Sequence, residues 1–270
     1  MISFCLSADA MALLVRKSAH WISSVRGNLP RNYHFDYGLT GLLLAKLHLM
    51  TLGLADKVVA MTEPMAEQVG CYINRRPAII GNFVDEAVLE PYRRPAGRNK
   101  PLHFVFLGSL SARKQPLELI AAAHQLINSG KTIQVTLVGE GVLRADIEAA
   151  IRSANLKDNI QLTGQLDDPY LILAQADALV LPSMSEGVSR AVLEALHLGI
   201  PAVLRDVDGN REVIEPGING TLFSDPAQLS RCMLEAADLR RSITSQQSLL
   251  PSRFRQKACA SSYLDLAEAL

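Results

Sequence analysis

The 270-residue chain has no net charge, since 27 basic side chains are balanced by 27 acidic ones. A protein dedicated to nucleic acid binding would need a strongly basic surface, so this class is disfavoured. Aromatic residues make up only 5% of the chain, whereas hydrophobic residues make up 49%. That proportion and length are enough for one large or two modest globular domains.

Cysteine is scarce and scattered. The four cysteines show neither metal-ligand spacing nor the pattern of a disulfide framework: Cys5, Cys71, Cys232 and Cys259. The sequence therefore predicts no metal site and no resident cofactor.

Long apolar runs are missing as well. Residues 1–14 are apolar but lack the basic start and cleavage site of a signal peptide. Residues 41–55 are rich in leucine but include Lys46 and His48, and they are too few to span a bilayer. They predict a buried or interfacial helix, and a cytoplasmic location is expected.

The charge balance conceals a mildly basic first half. Residues 1–100 contain 12 basic and 8 acidic groups. Four cations lie between Asp9 and Asp36 with no acid among them: Arg16, Lys17, Arg26 and Arg31. An ordinary basic surface and a contact with an anionic acceptor or lipid surface are both open interpretations.

Strands and helices alternate along two stretches of the chain, which predicts α/β architecture with doubly wound parallel sheets. Strands are predicted in the first stretch at 2–6, 21–25, 57–61 and 78–80, with helices at 8–19, 38–54 and 63–72, and in the second at 102–107, 133–138, 160–162, 178–181, 202–204 and 221–223. The expected domains are residues 1–82, a linker at 83–100, a second domain at 101–250 and a closing helix at 251–270.

The most informative segment follows the predicted strand at 178–181. A helical pattern begins after Gly187, with Glu186 at its start and Glu194 about 12 Å further along the axis. The backbone N–H groups of Val188 and Ser189 would form an anion-binding helix N-terminus. Two carboxylates beside an anion cradle suit a ligand that combines hydroxyls with a diphosphate, such as a nucleotide sugar.

Glycine turns follow two other predicted strands. Gly108 and Ser109 precede the cations Arg113 and Lys114, which stand near a predicted helix start and can meet a diphosphate. Lys114 is expected at the edge of the site, with little contribution to the core. Gly139 and Gly141 hint at a dinucleotide site, but Arg144 occupies the third glycine position, so a dehydrogenase is disfavoured.

These motifs together resemble the retaining glycosyltransferases of family 4. The resemblance rests on Glu186 and Glu194, which match the E-x7-E motif, and on the segments 106–114, 138–141 and 208–214. It implies the two Rossmann-like domains of the GT-B fold. It also implies a last helix that returns to the first domain.

The same resemblance suggests roles for individual residues. Glu194 would contact the ribose, and Glu186 the donor sugar; Lys114 would stabilise the leaving diphosphate. The remaining donor-site candidates are Gly108, Ser109, Gly187, Val188 and Ser189, with Arg113 replacing an arginine that many relatives have at the position of Ser109. Arg26 stands where relatives usually have a catalytic histidine, and Arg26 and Asn28 are candidates for an acceptor or phosphate contact.

The implied activity is transfer of a sugar from a nucleotide diphosphate to a glycan or lipid-linked acceptor, in the synthesis of bacterial surface polysaccharide such as lipopolysaccharide. The nucleotide sugar is a substrate, and contact with the inner face of the membrane remains open. The first domain is expected to be incomplete, so that the chain binds nucleotide but transfers sugar poorly and self-associates. The alternatives are a catalytically silent nucleotide-binding remnant and a nucleotide-sugar epimerase.

Overall fold

A computed structural model describes residues 1–94, 101–243 and 247–270. The described backbone divides into two compact units, and each unit contains its own parallel sheet. Unit 1 comprises Met1–Phe83, Ser185–Ser189 and Pro251–Leu270, and unit 2 comprises Val84–Met184 and Arg190–Leu250. The predicted α/β class is confirmed.

The strands of the described residues are β1 (Ile2–Ser3), β2 (Ile22–Val25), β3 (Lys57–Ala60), β4 (Ala78–Ile79), β5 (Leu102–Leu107), β6 (Ile133–Val138), β7 (Ile160–Gly164), β8 (Ala178–Leu181), β9 (Ala202–Arg205) and β10 (Gly220–Phe223). The α-helices are α1 (Leu6–Val15), α2 (Leu29–Leu52), α3 (Glu63–Ile73), α4 (Glu86–Leu89), α5 (Pro116–Asn128), α6 (Arg144–Ser153), α7 (Tyr170–Ala174), α8 (Arg190–His197), α9 (Asn210–Val213), α10 (Leu229–Ser242) and α11 (Gln256–Glu268).

Unit 1 has the strand order β1-β2-β3-β4, with every neighbouring pair parallel. Its core includes a buried cluster of Ile22, Val59, Ile80 and Cys259. Cys259 lies on α11, and the hydroxyl of Tyr263 on the same helix is 2.7 Å from that of Ser24. The end of the chain therefore completes the core of unit 1.

Helix α2 begins earlier than the sequence pattern predicts. Residues 29–37, which lie between the strand predicted at 21–25 and the helix predicted at 38–54, are helical, because the Asn28 side chain accepts a 3.2 Å hydrogen bond from the Arg31 N–H and Pro30 occupies the first turn. Gly38, the predicted start, interrupts the helix with φ +62° and ψ −142°. Only glycine adopts this backbone conformation readily.

Unit 2 has the strand order β10-β9-β8-β5-β6-β7. The chain builds outward from β5 through β6 and β7 and then returns to the other side of β5 with β8. The order thus reverses between β5 and β8, and in open parallel sheets ligands bind outside the carboxyl ends of the strands at such a reversal. The six predicted strands of this unit are present, with ends shifted by at most two residues.

The predicted linker at 83–100 is described only as far as residue 94. Residues 84–94 belong to unit 2 and include α4 and a following 3₁₀ turn, and residues 95–100 lie outside the described residues. Across the described chain, each helix falls short of the length or the apolar character needed to span a bilayer.

Candidate functional site

The two glycine turns of unit 2 pack backbone against backbone. The Gly108 N–H donates to the Val138 carbonyl at 3.0 Å, and a Cβ on Gly139 would lie 2.0 Å from the Gly108 carbonyl oxygen. Gly139 also has φ +142°, so both space and backbone angle require glycine there. A cavity of about 240 Å³ lies beside these turns, and Ser109 and Glu140 contribute to its lining.

Lys114 lies over the first turn rather than out in solvent. Its side chain places Cε 3.8 Å from the position that a Cβ on Gly108 would occupy, and only 9% of the residue is exposed. The expectation that this lysine contributes little to packing is therefore wrong. The left-handed backbone of Gln115, with φ +53°, separates Lys114 from the start of α5.

Arg113 lies in the loop after β5, at the reversal point between β5 and β8. Its carbonyl accepts a 2.8 Å hydrogen bond from the Met184 N–H, which joins the loop after β5 to the segment after β8. The Arg113 side chain is half-exposed. This bond holds the predicted diphosphate-binding loop against the chain that leads into α8.

Helix α8 begins at Arg190, two residues later than expected. Val188 and Ser189 precede its first residue, so they are not helical positions. The Val188 carbonyl, which a longer helix would use for its own hydrogen bond, accepts from the Asn82 side-chain amide at 3.0 Å. This tertiary contact keeps the segment in a non-helical path.

Glu194 is a buried carboxylate in α8. It is 6% exposed, and the Arg190 guanidinium lies 3.5 Å from its carboxylate. Burial raises the pKa of Glu194, and the Arg190 charge opposes this shift only in part. Burial, and secondarily the Glu194 charge, raises the pKa of Tyr170, whose ring packs edge-on against Tyr92 at 5.6 Å.

Glu186 belongs to unit 1, although the chain on either side of its five-residue segment belongs to unit 2. It is 7% exposed, in the segment Ser185–Ser189. A Cβ on Gly187 would lie 2.7 Å from the Arg26 carbonyl oxygen and 2.4 Å from Met61 Cε, so glycine permits this close approach. The segment thus packs against the residues that follow β2 and β3.

Arg26 is held by neighbours within unit 1. Its guanidinium donates to the Asn82 side-chain oxygen at 2.6 Å and lies 4.5 Å from the centre of the Phe4 ring. Asn28 has a structural role, because its side-chain oxygen caps α2 and accepts from Gln68 at 2.9 Å. A ligand contact by either residue stays a prediction.

A buried polar network in unit 1 was not predicted from the sequence. The Asp9 carboxylate contacts His48 Nε2 at 2.7 Å and accepts from the hydroxyls of Ser3 and Ser23, while His48 Nδ1 lies 3.0 Å from the Tyr33 hydroxyl. Asp9 and His48 are each 3% exposed. The signal in the sequence was a single acid in the apolar helix predicted at 8–19 and a single histidine in the helix predicted at 38–54.

This network lines a cavity of about 220 Å³ outside the carboxyl ends of β1 and β2. In the neutral imidazole of His48, Nε2 donates to the Asp9 carboxylate, which can only accept, and Nδ1 then accepts the Tyr33 O–H. The Tyr33 oxygen therefore keeps lone pairs for a donor. Arg26 and Asn32 also line the cavity, and Asn32 accepts a 3.2 Å hydrogen bond from Ser185, next to Glu186.

Within residues 1–94, 101–243 and 247–270, no group of three or more His, Cys, Asp or Glu side chains is placed to hold a metal ion. The four cysteines are all free thiols: Cys5 and Cys71 at the surface, and Cys232 and Cys259 in the interior.

The family model described as "Glycosyl transferases group 1" matches residues 90–246, more than half of the chain. The chain belongs to the group 1 glycosyl transferases. The matched region contains the glycine turns, Lys114 and both glutamates. The cavity of unit 1 lies outside it.

Two curated relatives and one solved structure illustrate the similarity. Alpha-D-kanosaminyltransferase of Streptomyces kanamyceticus is 28% identical over 155 residues, which are 55% of this chain and 40% of the relative. UDP-Gal:alpha-D-GlcNAc-diphosphoundecaprenol alpha-1,3-galactosyltransferase of Escherichia coli is 32% identical over 123 residues, 44% of this chain and 32% of that protein. The chain thus spans less than half the length of each relative.

The structure of Anabaena Alr3699/HepE in complex with UDP-glucose matches all of this chain and 79% of that protein, with a TM-score of 0.79 and 17% identity. At this identity the likeness establishes the fold, and the fold is that of the GT-B glycosyltransferases.

One further feature of the group 1 region was not predicted. The buried Arg205 guanidinium donates to the Pro182 carbonyl at 3.1 Å, pairs with Glu118 and lies over the Phe223 ring at 5.0 Å. Burial raises the pKa of Glu118 despite the opposing charge of Arg205. The pair connects the ends of β8 and β9 with the first turn of α5, and so braces the reversal point.

Proposed function

We propose that this chain acts in a retaining glycosyltransferase that moves a sugar from a nucleotide diphosphate to a glycan or lipid-linked acceptor. The observation that carries the proposal is the position of Lys114, the Gly108 turn and Glu194 around the β5–β8 reversal of a parallel sheet. The match of Glu186, in the loop before α8, and Glu194, within α8, to the E-x7-E motif of family 4 supports the retaining outcome.

The donor nucleotide is assigned to unit 2. The backbone at Gly108 and Ser109 would face the diphosphate, and Lys114 and Arg113 would stabilise the charge that develops on the departing nucleotide. Glu194 would accept hydrogen bonds from the two ribose hydroxyls, a task that suits an ionised carboxylate. Burial of Glu194 makes such bonds stronger than they would be in water.

The donor sugar is assigned to the Ser185–Ser189 segment. Glu186 would contact sugar hydroxyls, and the backbone of Gly187, Val188 and Ser189 would contribute N–H donors. Retention needs no obligatory protein nucleophile, because the acceptor hydroxyl attacks from the face that the nucleotide leaves. The protein's task is then to position both substrates and stabilise the leaving group, and no resident cofactor or metal is required.

The acceptor is assigned to the cavity of unit 1. Tyr33, oriented by His48 and Asp9, offers an oxygen that can accept a hydrogen bond from an acceptor hydroxyl, and Arg26 supplies a cation for an acidic sugar or phosphate. The name of the E. coli relative specifies a diphosphoundecaprenol-linked acceptor. This supports a lipid-linked acceptor and a location in the cytoplasm at the inner face of the membrane.

Two measurements test the proposal. Calorimetry with UDP, GDP and ADP identifies the preferred nucleotide, and we expect Glu194→Ala to abolish most of that affinity. The matching UDP-, GDP- or ADP-sugar is then incubated with the chain, and the anomeric configuration of any transferred or hydrolysed sugar is read by NMR before mutarotation. An inverted product would exclude the retaining mechanism.

A catalytically silent nucleotide-binding protein is the second candidate. It is favoured by Ser109 and Arg26, which occupy positions where many family 4 relatives have arginine and histidine. Tight nucleotide binding without turnover of any donor sugar would support it. Absence of nucleotide binding would contradict both candidates.

A further inference from the structure

The buried polar network of unit 1 reaches a cavity at one of its ends. At the inner end, the Asp9 carboxylate accepts hydrogen bonds from two serine hydroxyls and contacts His48. At the outer end, the half-buried Tyr33 lines the cavity of about 220 Å³ together with His48. A network that only stabilised the fold would satisfy its polar groups without opening to a cavity.

The three side chains form a chain of hydrogen bonds with a single direction. His48 Nε2 lies 2.7 Å from Asp9, and His48 Nδ1 lies 3.0 Å from the Tyr33 hydroxyl. When the proton of the neutral imidazole is on Nε2, the Nδ1 lone pair accepts the Tyr33 O–H. The Tyr33 oxygen can then accept a proton from the cavity while it passes its own proton to Nδ1.

The interior of unit 1 favours this movement of protons. Asp9 and His48 are each 3% exposed. A proton taken up by His48 would therefore create an imidazolium beside a carboxylate, and their attraction is stronger there than in water. Burial, and secondarily the charges of Tyr37 and Asp9, raises the pKa of Tyr33. The phenol thus stays protonated and releases its proton only as it receives another.

Two other charged groups line the same cavity, Arg26 and Asp36. A guanidinium has no lone pair that can accept a proton, so Arg26 cannot act as a base. Asp36 is the rival base, but its side chain is exposed. Water therefore solvates the Asp36 carboxylate, whereas the lone pair of His48 Nδ1 is directed to Tyr33.

We propose that Tyr33 is the catalytic residue that takes the proton of the acceptor hydroxyl, and that His48 and Asp9 act through it as positioning residues. The proposal rests on the proposed function, which assigns the acceptor to this cavity. The acceptor oxygen forms its bond to the anomeric carbon while its proton moves to the Tyr33 oxygen and the Tyr33 proton moves to His48 Nδ1. The bond from the anomeric carbon to the phosphate oxygen breaks, and its electron pair leaves with the nucleotide. His48 afterwards returns the proton through Tyr33 to solvent.

Two substitutions separate proton transfer from hydrogen bonding. In His48→Gln the side-chain amide can donate to Asp9 and its oxygen can accept the Tyr33 O–H, but an amide oxygen is too weak a base to hold the proton. Tyr33→Phe removes the oxygen that meets the acceptor. Tyr37→Phe is the matched control, because Tyr37 lies one turn further along α2, is 58% exposed and does not line the cavity.

The full chain is incubated with UDP-, GDP- and ADP-linked hexoses, and the release of sugar to water, which takes the place of the acceptor, is measured. We expect His48→Gln and Tyr33→Phe each to lower kcat about a hundredfold, as for the loss of a general base. The KM for the donor should not change, since unit 2 is proposed to bind it. Tyr37→Phe should leave both constants unchanged. In the NMR spectrum of the chain with ¹⁵N-labelled histidine, His48 should have its proton on Nε2 and none on Nδ1.

Thermal denaturation followed by circular dichroism verifies that the variants fold. If His48→Gln does not fold, Tyr33→Phe decides, because it removes a single oxygen from a half-buried side chain. Turnover of the folded His48→Gln variant at the rate of the unchanged chain would overturn the proposal, since hydrogen bonding without proton uptake would then suffice. A proton on His48 Nδ1 would also overturn it, as would a larger loss of kcat in Asp36→Asn than in Tyr33→Phe.

These outcomes would leave the proposed function intact. Nucleotide binding by the unchanged chain without turnover of any of the donor sugars would instead contradict the proposed function, and the role of Tyr33 together with it.

Discussion

At the residue scale, the side chains assigned to the donor are largely buried, so their charges act in a medium of low polarity. Glu194 and Lys114 are both less than a tenth exposed. Burying the Glu194 carboxylate costs free energy, and the ribose hydroxyls of a bound nucleotide would offset part of that cost by supplying hydrogen bonds. Substitution of Glu194 should therefore change nucleotide binding and stability in different directions.

For Glu194→Gln we expect opposite effects on stability and nucleotide binding. Because the pKa of Glu194 is raised in the folded state, its proton is held more tightly there than in the unfolded chain. Stability therefore falls as pH rises from the ordinary glutamate value of about 4.3 through the raised value. Glu194→Gln removes this decline, so the variant should gain in stability relative to the unchanged chain as pH rises.

The preferred nucleotide should bind the unchanged chain less tightly as pH falls through the raised pKa of Glu194, because protonation removes an acceptor for the ribose. The Gln variant should bind about tenfold more weakly at neutral pH, from the loss of charge-assisted hydrogen bonds. The affinity of the Gln variant should also not fall as pH falls through this range, because glutamine does not titrate. Calorimetry across pH gives the ratio of the affinity of the unchanged chain to that of the Gln variant. The titration of the nucleotide itself affects both affinities equally and cancels in this ratio. A ratio that does not change with pH would contradict the ribose assignment.

Lys114 combines packing with charge, and two substitutions separate these contributions. Lys114→Met keeps most of the stem that lies over Gly108 but removes the charge. We expect a small change in thermal stability and a loss of transfer equivalent to about 2–4 kcal/mol, as for other groups that stabilise a developing anion. Lys114→Ala should lose the same transfer and additional thermal stability. Unchanged transfer in the Met variant would show that this ammonium group does not serve the leaving nucleotide.

At the element scale, the site depends on turns that bring backbones into contact. The loops after β5 and β6 meet at Gly108 and Gly139, and the segment after β8 is fastened to the β5 loop through Met184 and Arg113. Parallel strands place all of these loops at one edge of the sheet. The position of the site thus follows from strand order together with a few glycines.

The role of Gly139 can be tested by comparison with Gly130, a second glycine whose φ angle is positive. In Gly139→Ala the new Cβ would overlap the Gly108 carbonyl, so the two turns must separate; we expect at least 2 kcal/mol of destabilisation and weaker nucleotide binding. Gly130→Ala is the control, because Gly130 also has positive φ but has open space around it. Its cost should be about 1 kcal/mol, from backbone strain alone. Equal denaturation midpoints for the two variants would show that the close approach carries no extra cost.

At the scale of the whole molecule, unit 1 is assembled from three separate parts of the chain, and the last of these closes its core. Phe254 is buried against Gly81, and α11 supplies Cys259 to the central cluster. Unit 2 has its own sheet and core. The two units should therefore respond separately to substitutions in the final segment.

Phe254→Ala should destabilise unit 1 by about 3–5 kcal/mol through loss of a buried aromatic ring. Hydrogen exchange should show lost protection in β2, β3 and β4 and unchanged protection in β5 to β10. Leu264→Ala on the exposed side of α11 should change stability by less than about 0.5 kcal/mol. Uniform loss of protection across both sheets would contradict separate cores.

Much of the fold was predictable because its signals are local. Apolar runs of four to six residues, interrupted by glycine or proline, locate the strands of unit 2, and their alternation with helices requires parallel pairing. Helix boundaries were less predictable. Just before α8 begins, the Val188 carbonyl accepts a hydrogen bond from Asn82, more than a hundred residues away, and no local pattern signals this contact.

The sequence by itself determined the α/β class, the order of the elements and the glycine turns, since these follow from side-chain periodicity and backbone sterics over a few residues. The tertiary structure alone decided which distant groups meet. It placed Glu186 in unit 1 and Glu194 in unit 2, buried Lys114 over Gly108, and paired Asp9 with His48 across 39 positions. Such pairs depend on which helices pack side by side, and a polar group that packing buries is stabilised by the partner it meets there.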